Sequence, residues 1–176
     1  MKTFFSRCLV FFILLIVVAG CRQETPPARQ IDRGKVEKDM LEANRRAVRT
    51  ETQHIEDFLR RYRWDMTESG SGLRYMIVEE GNGPRVRVDH TAVIEYGVYL
   101  ITGDLIYSSD EYGLLTFTVG RGEVISGLEE GILLMKVGDR AKFIIPSHLA
   151  YGLIGDDRKI PGKSTLIYDV KLLELK

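Results

Sequence analysis

Side chains that commonly bind metals or phosphates are scattered along the sequence in patterns that predict neither chemistry. A metal site needs several His, Cys or carboxylate ligands close together. His54, His90 and His148 are far apart in sequence, with no Cys or paired carboxylates near them. Gly120-Arg121-Gly122 is an isolated G-x-G sequence that no helix start follows, so it does not predict a phosphate-binding loop. The sequence therefore predicts no metal site.

Cys21 is the residue whose surroundings predict a covalent modification. The sequence Val18-Ala19-Gly20 before it resembles a bacterial lipobox, which implies that Cys21 becomes the first mature residue and carries lipid on its sulfur. Lys2 and Arg7 precede the apolar run 8–19 in the layout of an export signal. That run is shorter than the about 20 residues of a membrane span. A retained span and an ordinary signal with a nearby Cys are the alternatives, and one mature Cys excludes an internal disulfide.

A series of short motifs fills the C-terminal part of the chain. In order they are Glu95-Tyr96-Gly97, Ser108-Ser109, Phe117-Thr118-Val119-Gly120, Glu123-Val124-Ile125-Ser126-Gly127, Met135-Lys136-Val137-Gly138, Leu149-Ala150-Tyr151-Gly152 and Ile160-Pro161. This order and spacing resemble the FKBP family from about Leu73 to Lys176. The E-V-I-x-G block, the A-Y-G turn and the I-P pair are the parts that would seldom coincide by chance.

The resemblance implies a peptidyl-prolyl cis–trans isomerase (rotamase) that acts on proline-containing chains. Rotation about an X-Pro bond crosses a barrier of about 18–20 kcal/mol because the planar amide resists twisting. The twisted amide is less dipolar, so an apolar pocket suits it better than water does. Binding the twisted state more tightly than the planar one is sufficient for catalysis, and no nucleophile, metal or cofactor is needed.

By the same resemblance, the site is an apolar cup with two hydrogen-bond donors. The backbone N–H of Ile125 and the hydroxyl of Tyr151 would bind the substrate backbone, and Val124 and Ile125 would form the floor. The apolar members would serve equally well as core, whereas the Gly-flanked loop around Tyr151 favours a function. The implied catalytic residues are Tyr96, Ile106, Tyr107, Val124, Ile125, Leu128, Tyr151 and Tyr168, and the implied substrate-binding residues are Leu115 and Ile160.

Several of these positions depart from the family pattern. Tyr107 stands where the family usually has Asp, Leu128 where it often has Trp, Tyr168 in place of a Phe and Leu115 in place of an aromatic residue. The loop 156–159 is charged. The cup is expected to remain apolar but to lack its carboxylate, which bears on catalytic rate and macrolide binding. Replacing Tyr107 by Asp is accordingly expected to increase activity.

A helix is predicted over Lys35–Arg63, which contains neither Gly nor Pro. Asp32 is a candidate cap at its start, and Trp64 is expected to anchor its end to the sheet. An apolar stripe in its C-terminal half predicts packing on the helix's own domain. A coiled coil is the minority interpretation because two of three second core positions are polar, so a monomer is favoured. The stripe consists of Ile55, Phe58, Leu59 and Tyr62.

The remaining elements predict an α+β fold, an antiparallel sheet wrapped around one short helix. That helix is expected from Leu128 to its stop at Val137-Gly138, and Gly97 is a possible bulge. The predicted strands are Leu73–Val78, Thr91–Leu100, Leu115–Val119, Arg140–Ile145 and Thr165–Leu173.

The chain is thus divided into a signal peptide (1–20), a flexible tether (21–34), a helical arm (35–66) and an isomerase domain (69–176) that is expected to fold without the arm. Equal numbers of basic and acidic residues, 25 each, argue against nucleic-acid binding. The sequence favours a lipid-anchored isomerase of the bacterial cell envelope, at the outer membrane or facing the periplasm. Its layout resembles small isomerase lipoproteins with a helical arm, including those associated with gliding motility. A peptide-binding chaperone or assembly factor with little catalysis, and a structural lipoprotein subunit, are the alternatives.

Overall fold

The computed structural model describes residues 32–176. The predicted signal peptide, Cys21 and all but the end of the tether lie outside the described residues. Helix α1 covers Arg33–Tyr62, and the Asp32 carboxylate accepts the N–H of Lys35 at 3.2 Å, as the predicted cap should. Residues 42–176 form the larger of the two units into which the chain divides, with the boundary inside this helix. Within residues 32–176, no helix combines the length and the apolar character that crossing a membrane requires.

A seven-stranded antiparallel sheet dominates the larger unit, in the order β1-β2-β6-β7-β3-β4, with β5 paired to β3. The strands are β1 (Thr67–Glu68), β2 (Arg74–Glu79), β3 (Thr91–Leu100), β4 (Leu105–Ser108), β5 (Leu115–Thr118), β6 (Arg140–Ile145) and β7 (Leu166–Leu175). The short helices are α2 (Ser109–Tyr112), α3 (Ser126–Leu133) and a 3₁₀ turn (Ser147–Leu149). The predicted α+β class and antiparallel sheet are confirmed.

One face of the sheet packs against α3 to form the main core. Leu128 and Ile132 of this helix are fully buried. Gly127 allows the close approach, because a Cβ placed there would lie 2.4 Å from Cγ2 of Ile145. On β7 the alternate residues predicted to share one face are all buried in this core, as strand periodicity requires. They are Leu166, Tyr168, Val170 and Leu172.

The opposite face of the sheet is covered by the C-terminal half of α1. Ile55 and Phe58 are 1% and 8% exposed and form a second buried cluster with Ile144 and Ile167 of β6 and β7. Trp64 packs at its edge, with its ring centroid 5.2 Å from that of Phe58. The predicted packing of the helix on its own domain and the anchoring role of Trp64 are confirmed.

Two local expectations are wrong. Helix α3 ends at Leu133 rather than at Val137, because the following residues pair with another segment: Val137 donates its N–H to the carbonyl of Pro84 at 3.0 Å. The bulge predicted at Gly97 is absent, since Gly97 pairs regularly with Ser108 and with the strand β7. The register of β3 against β4 shifts instead just after Val98.

Candidate active site

Nine of the ten residues predicted to form the cup belong to the main core cluster or pack against it. Three of them are buried and six are half-buried. The tenth, Tyr151, is 37% exposed on the loop between β6 and β7. The buried members are Leu128, Ile160 and Tyr168, and the half-buried ones are Tyr96, Ile106, Tyr107, Leu115, Val124 and Ile125.

The predicted floor of the cup is the turn that leads into α3. Val124 and Ile125 precede the helix, and the carbonyl of Ile125 accepts the N–H groups of Leu128 at 3.0 Å and Glu129 at 3.1 Å. These bonds fix the orientation of the peptide at the helix start. Within residues 32–176, the N–H of Ile125 makes no hydrogen bond, so this donor is free for a ligand.

Four of the predicted cup residues are tyrosines, and the hydroxyls of Tyr96, Tyr151 and Tyr168 influence one another. Burial raises the pKa of Tyr168 far above its usual value, and the neighbouring Tyr151 and Tyr96 add to the effect. Burial also raises the pKa of Tyr151, with a further contribution from the negative charge of Asp156, and it raises that of Tyr96. All three hydroxyls therefore keep their protons at neutral pH and remain able to donate hydrogen bonds.

A carboxylate from another part of the chain contacts Tyr107, the position where the resemblance leads one to expect an Asp. The Tyr107 hydroxyl donates a hydrogen bond to Oδ2 of Asp156, 49 residues away. Oδ1 of Asp156 accepts the backbone N–H of Arg158 at 3.0 Å and of Ile160 at 2.7 Å. The β6–β7 loop thus supplies a carboxylate that contacts the hydroxyl of the cup residue Tyr107.

This hydrogen bond shifts the pKa values of Tyr107 and Asp156 in the directions that keep the donor protonated and the acceptor ionised. The hydrogen bond to Asp156 raises the pKa of Tyr107, and burial acts in the same sense. For Asp156, partial burial opposes ionisation, but the hydrogen bonds from Tyr107 and from the N–H of Ile160 prevail and lower its pKa. A protonated phenol facing an ionised carboxylate is therefore the state at neutral pH.

Lys159 adds a second connection between the β6–β7 loop and the cup wall. Its ammonium group lies 3.4 Å from the carbonyl of Ile106 and 3.4 Å from a carboxylate oxygen of Glu111. It also lies 5.4 Å and 5.3 Å from the ring centroids of Tyr107 and Tyr112, within cation–π range. The loop that carries Tyr151 is therefore tied to β4 and α2 at several points.

The β6–β7 loop crosses itself closely, which only glycine permits at two positions. A Cβ at Gly155, where φ is +93°, would lie 2.2 Å from the carbonyl oxygen of Ile160. A Cβ at Gly162 would lie 2.1 Å from that of Leu153. The loop tip leaves Leu153 and Ile154 72% and 78% exposed beside Tyr151.

Sequence patterns missed two residues that organise this region. Asp156 lies in a charged loop that suggests only solvation, although an Asp two residues before an N–H partner is a common turn signal. Glu51 lies in the middle of α1 with no local signal, yet its carboxylate contacts the start and the end of the β6–β7 loop. Among residues 32–176, no group of three His, Cys, Asp or Glu side chains is placed to hold a metal.

Comparison with known proteins places this chain in a family. A model described as FKBP-type peptidyl-prolyl cis-trans isomerase matches residues 83–173, just over half of the chain. The chain belongs to the FKBP-type peptidyl-prolyl isomerase family. This FKBP-type chain is 39% identical over 107 residues to FK506-binding protein 1A of Neurospora crassa, covering 60% of this chain and 89% of that protein.

Other relatives of this FKBP-type chain are longer. It is 40% identical over 108 residues to the probable FKBP-type isomerase FkpA of Neisseria meningitidis, covering 61% of this chain and 39% of that protein. It is 44% identical over 96 residues to FK506-binding protein 4 of Emericella nidulans, of which it spans only a fifth.

Two solved structures resemble the FKBP-type chain. The crystal structure of AtFKBP13 is matched with a TM-score of 0.62 and 32% identity, over 64% of this chain and all of that one. That of FkpA from Escherichia coli is matched with a TM-score of 0.64 and 30% identity, over 84% of this chain and 74% of that one.

Proposed function

We propose that this chain is a peptidyl-prolyl cis–trans isomerase that accelerates X-Pro rotation in proline-containing polypeptides. The observation that carries the proposal is that nine apolar or aromatic residues of the predicted cup belong to one cluster, with Tyr151 37% exposed on the neighbouring loop. Among residues 32–176, nothing accepts the N–H of Ile125 at the predicted floor. Family membership supports the same activity. Slow X-Pro isomerisation limits the folding of many proteins, so such an enzyme would act as a folding catalyst.

In the proposed mechanism the proline ring enters the cup and rests on Val124 and Ile125. The apolar walls exclude water, and the twisted amide loses less by this than the planar, more dipolar amide does. The N–H of Ile125 and the hydroxyl of Tyr151 hold the flanking carbonyl groups, so that rotation occurs about one bond of a fixed backbone. No proton leaves an enzyme group, which agrees with the raised pKa values of the three tyrosines.

The activity is tested by measuring cis-to-trans rates on a proline tetrapeptide and on a protein whose refolding is limited by proline. Tyr151→Phe keeps the ring but removes the hydroxyl, and we expect kcat/KM to fall about three- to thirtyfold, the value of one hydrogen bond. Tyr62→Phe, at a half-exposed tyrosine near the end of α1, is the matched control that also removes only a hydroxyl, and it should leave both rates unchanged. A wild-type protein inactive on both substrates would refute the proposal.

A peptide-binding chaperone or assembly factor with little catalysis is the second candidate. It is favoured by the exposed Leu153 and Ile154 at the loop tip, which offer an apolar surface beside the cup. A chaperone would suppress aggregation of an unfolded protein while leaving the peptide rotation rate unchanged. Leu153→Ser with Ile154→Ser should then abolish the suppression, whereas an isomerase would retain its activity on tetrapeptides.

We propose further that the protein is exported and anchored by lipid at Cys21 in the bacterial envelope, at the outer membrane or facing the periplasm. The charged N-terminus, the apolar run and the lipobox-like sequence before Cys21 support this proposal. The order of lipobox, tether and helical arm also supports assignment to the isomerase lipoproteins that include gliding-motility proteins. Cys21→Ser should prevent lipidation, so that cell fractionation finds the protein in the soluble or uncleaved fraction. Mass spectrometry that finds an unmodified Cys21, or a different N-terminus, would contradict the anchor.

A further inference from the structure

The Glu51 carboxylate on helix α1 accepts three hydrogen bonds from the β6–β7 connection. Its Oε1 accepts the backbone N–H of Ser147 at 2.6 Å and the hydroxyl of Thr165 at 2.7 Å. Its Oε2 accepts the hydroxyl of Ser147 at 3.0 Å. Ser147 and Thr165 lie 96 and 114 residues from Glu51 in sequence. One side chain of the helix thus holds both ends of the loop that carries Tyr151.

The two donor residues, Ser147 and Thr165, lie close in sequence to residues of the predicted cup. Ser147 begins the 3₁₀ turn after β6, and its carbonyl accepts the N–H groups of Ala150 at 3.1 Å and Gly152 at 2.8 Å. The N–H groups of the residues before and after Tyr151 are therefore bonded to Ser147. Thr165 is 5% exposed and directly precedes β7, three residues before Tyr168 of the cup wall.

Glu51 is itself held in place by the packing of its helix. Residues 51, 55 and 58 lie on one face of α1, at helical spacing. Ile55 and Phe58 are buried against Ile144 and Ile167. The carboxylate therefore lies on a helix that is packed on the sheet.

We propose that Glu51 is a positioning residue that keeps the β6–β7 loop, and with it the Tyr151 hydroxyl, in the arrangement that binds substrate. This inference rests on the proposed isomerase function. Without the carboxylate, the N–H of Ser147 and the buried hydroxyl of Thr165 lose their acceptor, and the loop samples other arrangements. Only the fraction of molecules with the competent loop then binds substrate, so the apparent affinity falls by that fraction. The chemical step within a bound complex is unchanged.

The first test is steady-state kinetics of the full-length protein on a proline tetrapeptide. Glu51→Ala should raise KM about three- to tenfold and change kcat less than about twofold. Glu51→Gln should restore a KM near that of the wild type, because its amide oxygen accepts from Ser147 and Thr165 while its NH₂ group donates to the Ser147 hydroxyl. Glu42→Ala, which removes only an exposed pair with Arg46 on the same helix, should have no effect. An unchanged KM in Glu51→Ala would overturn the proposal.

Hydrogen exchange supplies a readout that does not depend on activity. In Glu51→Ala the amides of Ser147 and Gly152 should exchange at least about tenfold faster than in the wild type, and in Glu51→Gln and Glu42→Ala they should not. If the wild type proves inactive, the proposed function fails, while this measurement still decides whether Glu51 holds the loop. If exchange at residues 147–152 is unchanged in Glu51→Ala, the positioning role fails even for an active isomerase.

Discussion

At the scale of single residues, the most informative contact is that between Tyr107 and Asp156. The sequence predicts a cup without a carboxylate and an increase in rate for Tyr107→Asp. The structure changes that expectation, because an Asp at position 107 would face the ionised Asp156. The shorter Asp side chain cannot donate the hydrogen bond that the phenol gives to Asp156, and it adds a like charge near that carboxylate. We therefore now expect Tyr107→Asp to loosen the loop and to lower the rate.

We predict that Tyr107→Phe lowers kcat/KM on short peptides about three- to tenfold, the value of one hydrogen bond to a charged but accessible group. The ring would still pack against Tyr112, whose centroid is 5.4 Å away, so the loss reports the hydroxyl alone. Asp156→Asn should have a similar effect. In the double variant the losses should not add, since each single change breaks the same contact. Fully additive losses would mean that the two residues act independently.

The same contact predicts a pH dependence of stability. The lowered pKa of Asp156 means that its contribution is present above its unfolded value of about 3.9 and is lost as pH falls through its folded pKa. The raised pKa of Tyr107 means that its contribution is present below about 10 and is lost as pH rises through its folded pKa. The Tm difference between wild type and Tyr107→Phe should therefore be constant from about pH 5 to 9 and shrink on both sides. A difference that varies within that window would contradict this assignment.

At the scale of elements, strand alternation predicted one face of the sheet and missed the other. Ala141, Phe143 and Ile145 of β6 alternate with Arg140 and Lys142, as a half-buried strand requires. Ile144 and Ile167 interrupt that alternation, and both are buried because α1 covers their face. No local pattern states which helix covers which face. The apolar stripe of α1 does indicate that it packs somewhere, so the helix and the strands were predictable separately, whereas their pairing was not.

The candidate site was also predictable only in part. The cup residues could be assigned from short motifs, because each motif is local in sequence. The contacts that hold the cup in shape join residues far apart, as in Tyr107 with Asp156 and Glu51 with Ser147. Neither residue type nor spacing encodes such a pair, since an acidic residue on a helix or in a charged loop is usually solvated. Those contacts become visible only in the folded chain.

We predict that Ile55→Ala lowers the free energy of unfolding by about 2–5 kcal/mol, the usual loss for a fully buried aliphatic side chain. Ile55 is 1% exposed against Ile144 and Ile167, so the substitution leaves a cavity between α1 and the sheet. Val48→Ala, at a site on the same helix that is 54% exposed, should change it by less than about 0.5 kcal/mol. Chemical denaturation of both variants measures this, and equal effects would show that α1 is not packed on the sheet.

At the scale of the whole molecule, the sheet is shared by two buried clusters of unequal role. The main cluster surrounds α3 and consists of residues between Leu73 and Leu175, so it is complete without the helical arm. The second cluster needs Ile55 and Phe58 of α1 to cover Ile144 and Ile167. The arm is therefore part of the packed unit, and it also carries Glu51 to the loop of the candidate site.

We predict that the fragment 69–176 unfolds cooperatively but at a lower temperature than the full-length chain. Its main core is intact, whereas Ile144 and Ile167 become exposed, and re-exposing two such side chains costs about 3–6 kcal/mol, a large part of the about 5–15 kcal/mol that stabilises a typical domain. Exposed apolar side chains on a flat sheet face should also promote aggregation. Calorimetry and light scattering of the fragment measure both effects.

The double substitution Ile144→Thr and Ile167→Thr distinguishes the exposure of these two side chains from other effects of removing α1. Thr is β-branched and suits an exposed strand position, so in the fragment the double variant should reduce aggregation without lowering Tm. In the full-length chain the same change buries two hydroxyls beneath Ile55 and Phe58 and should lower Tm. A fragment as stable as the full chain would mean that α1 contributes nothing to the fold. A fragment with no cooperative transition would mean that the main core does not stand without the arm.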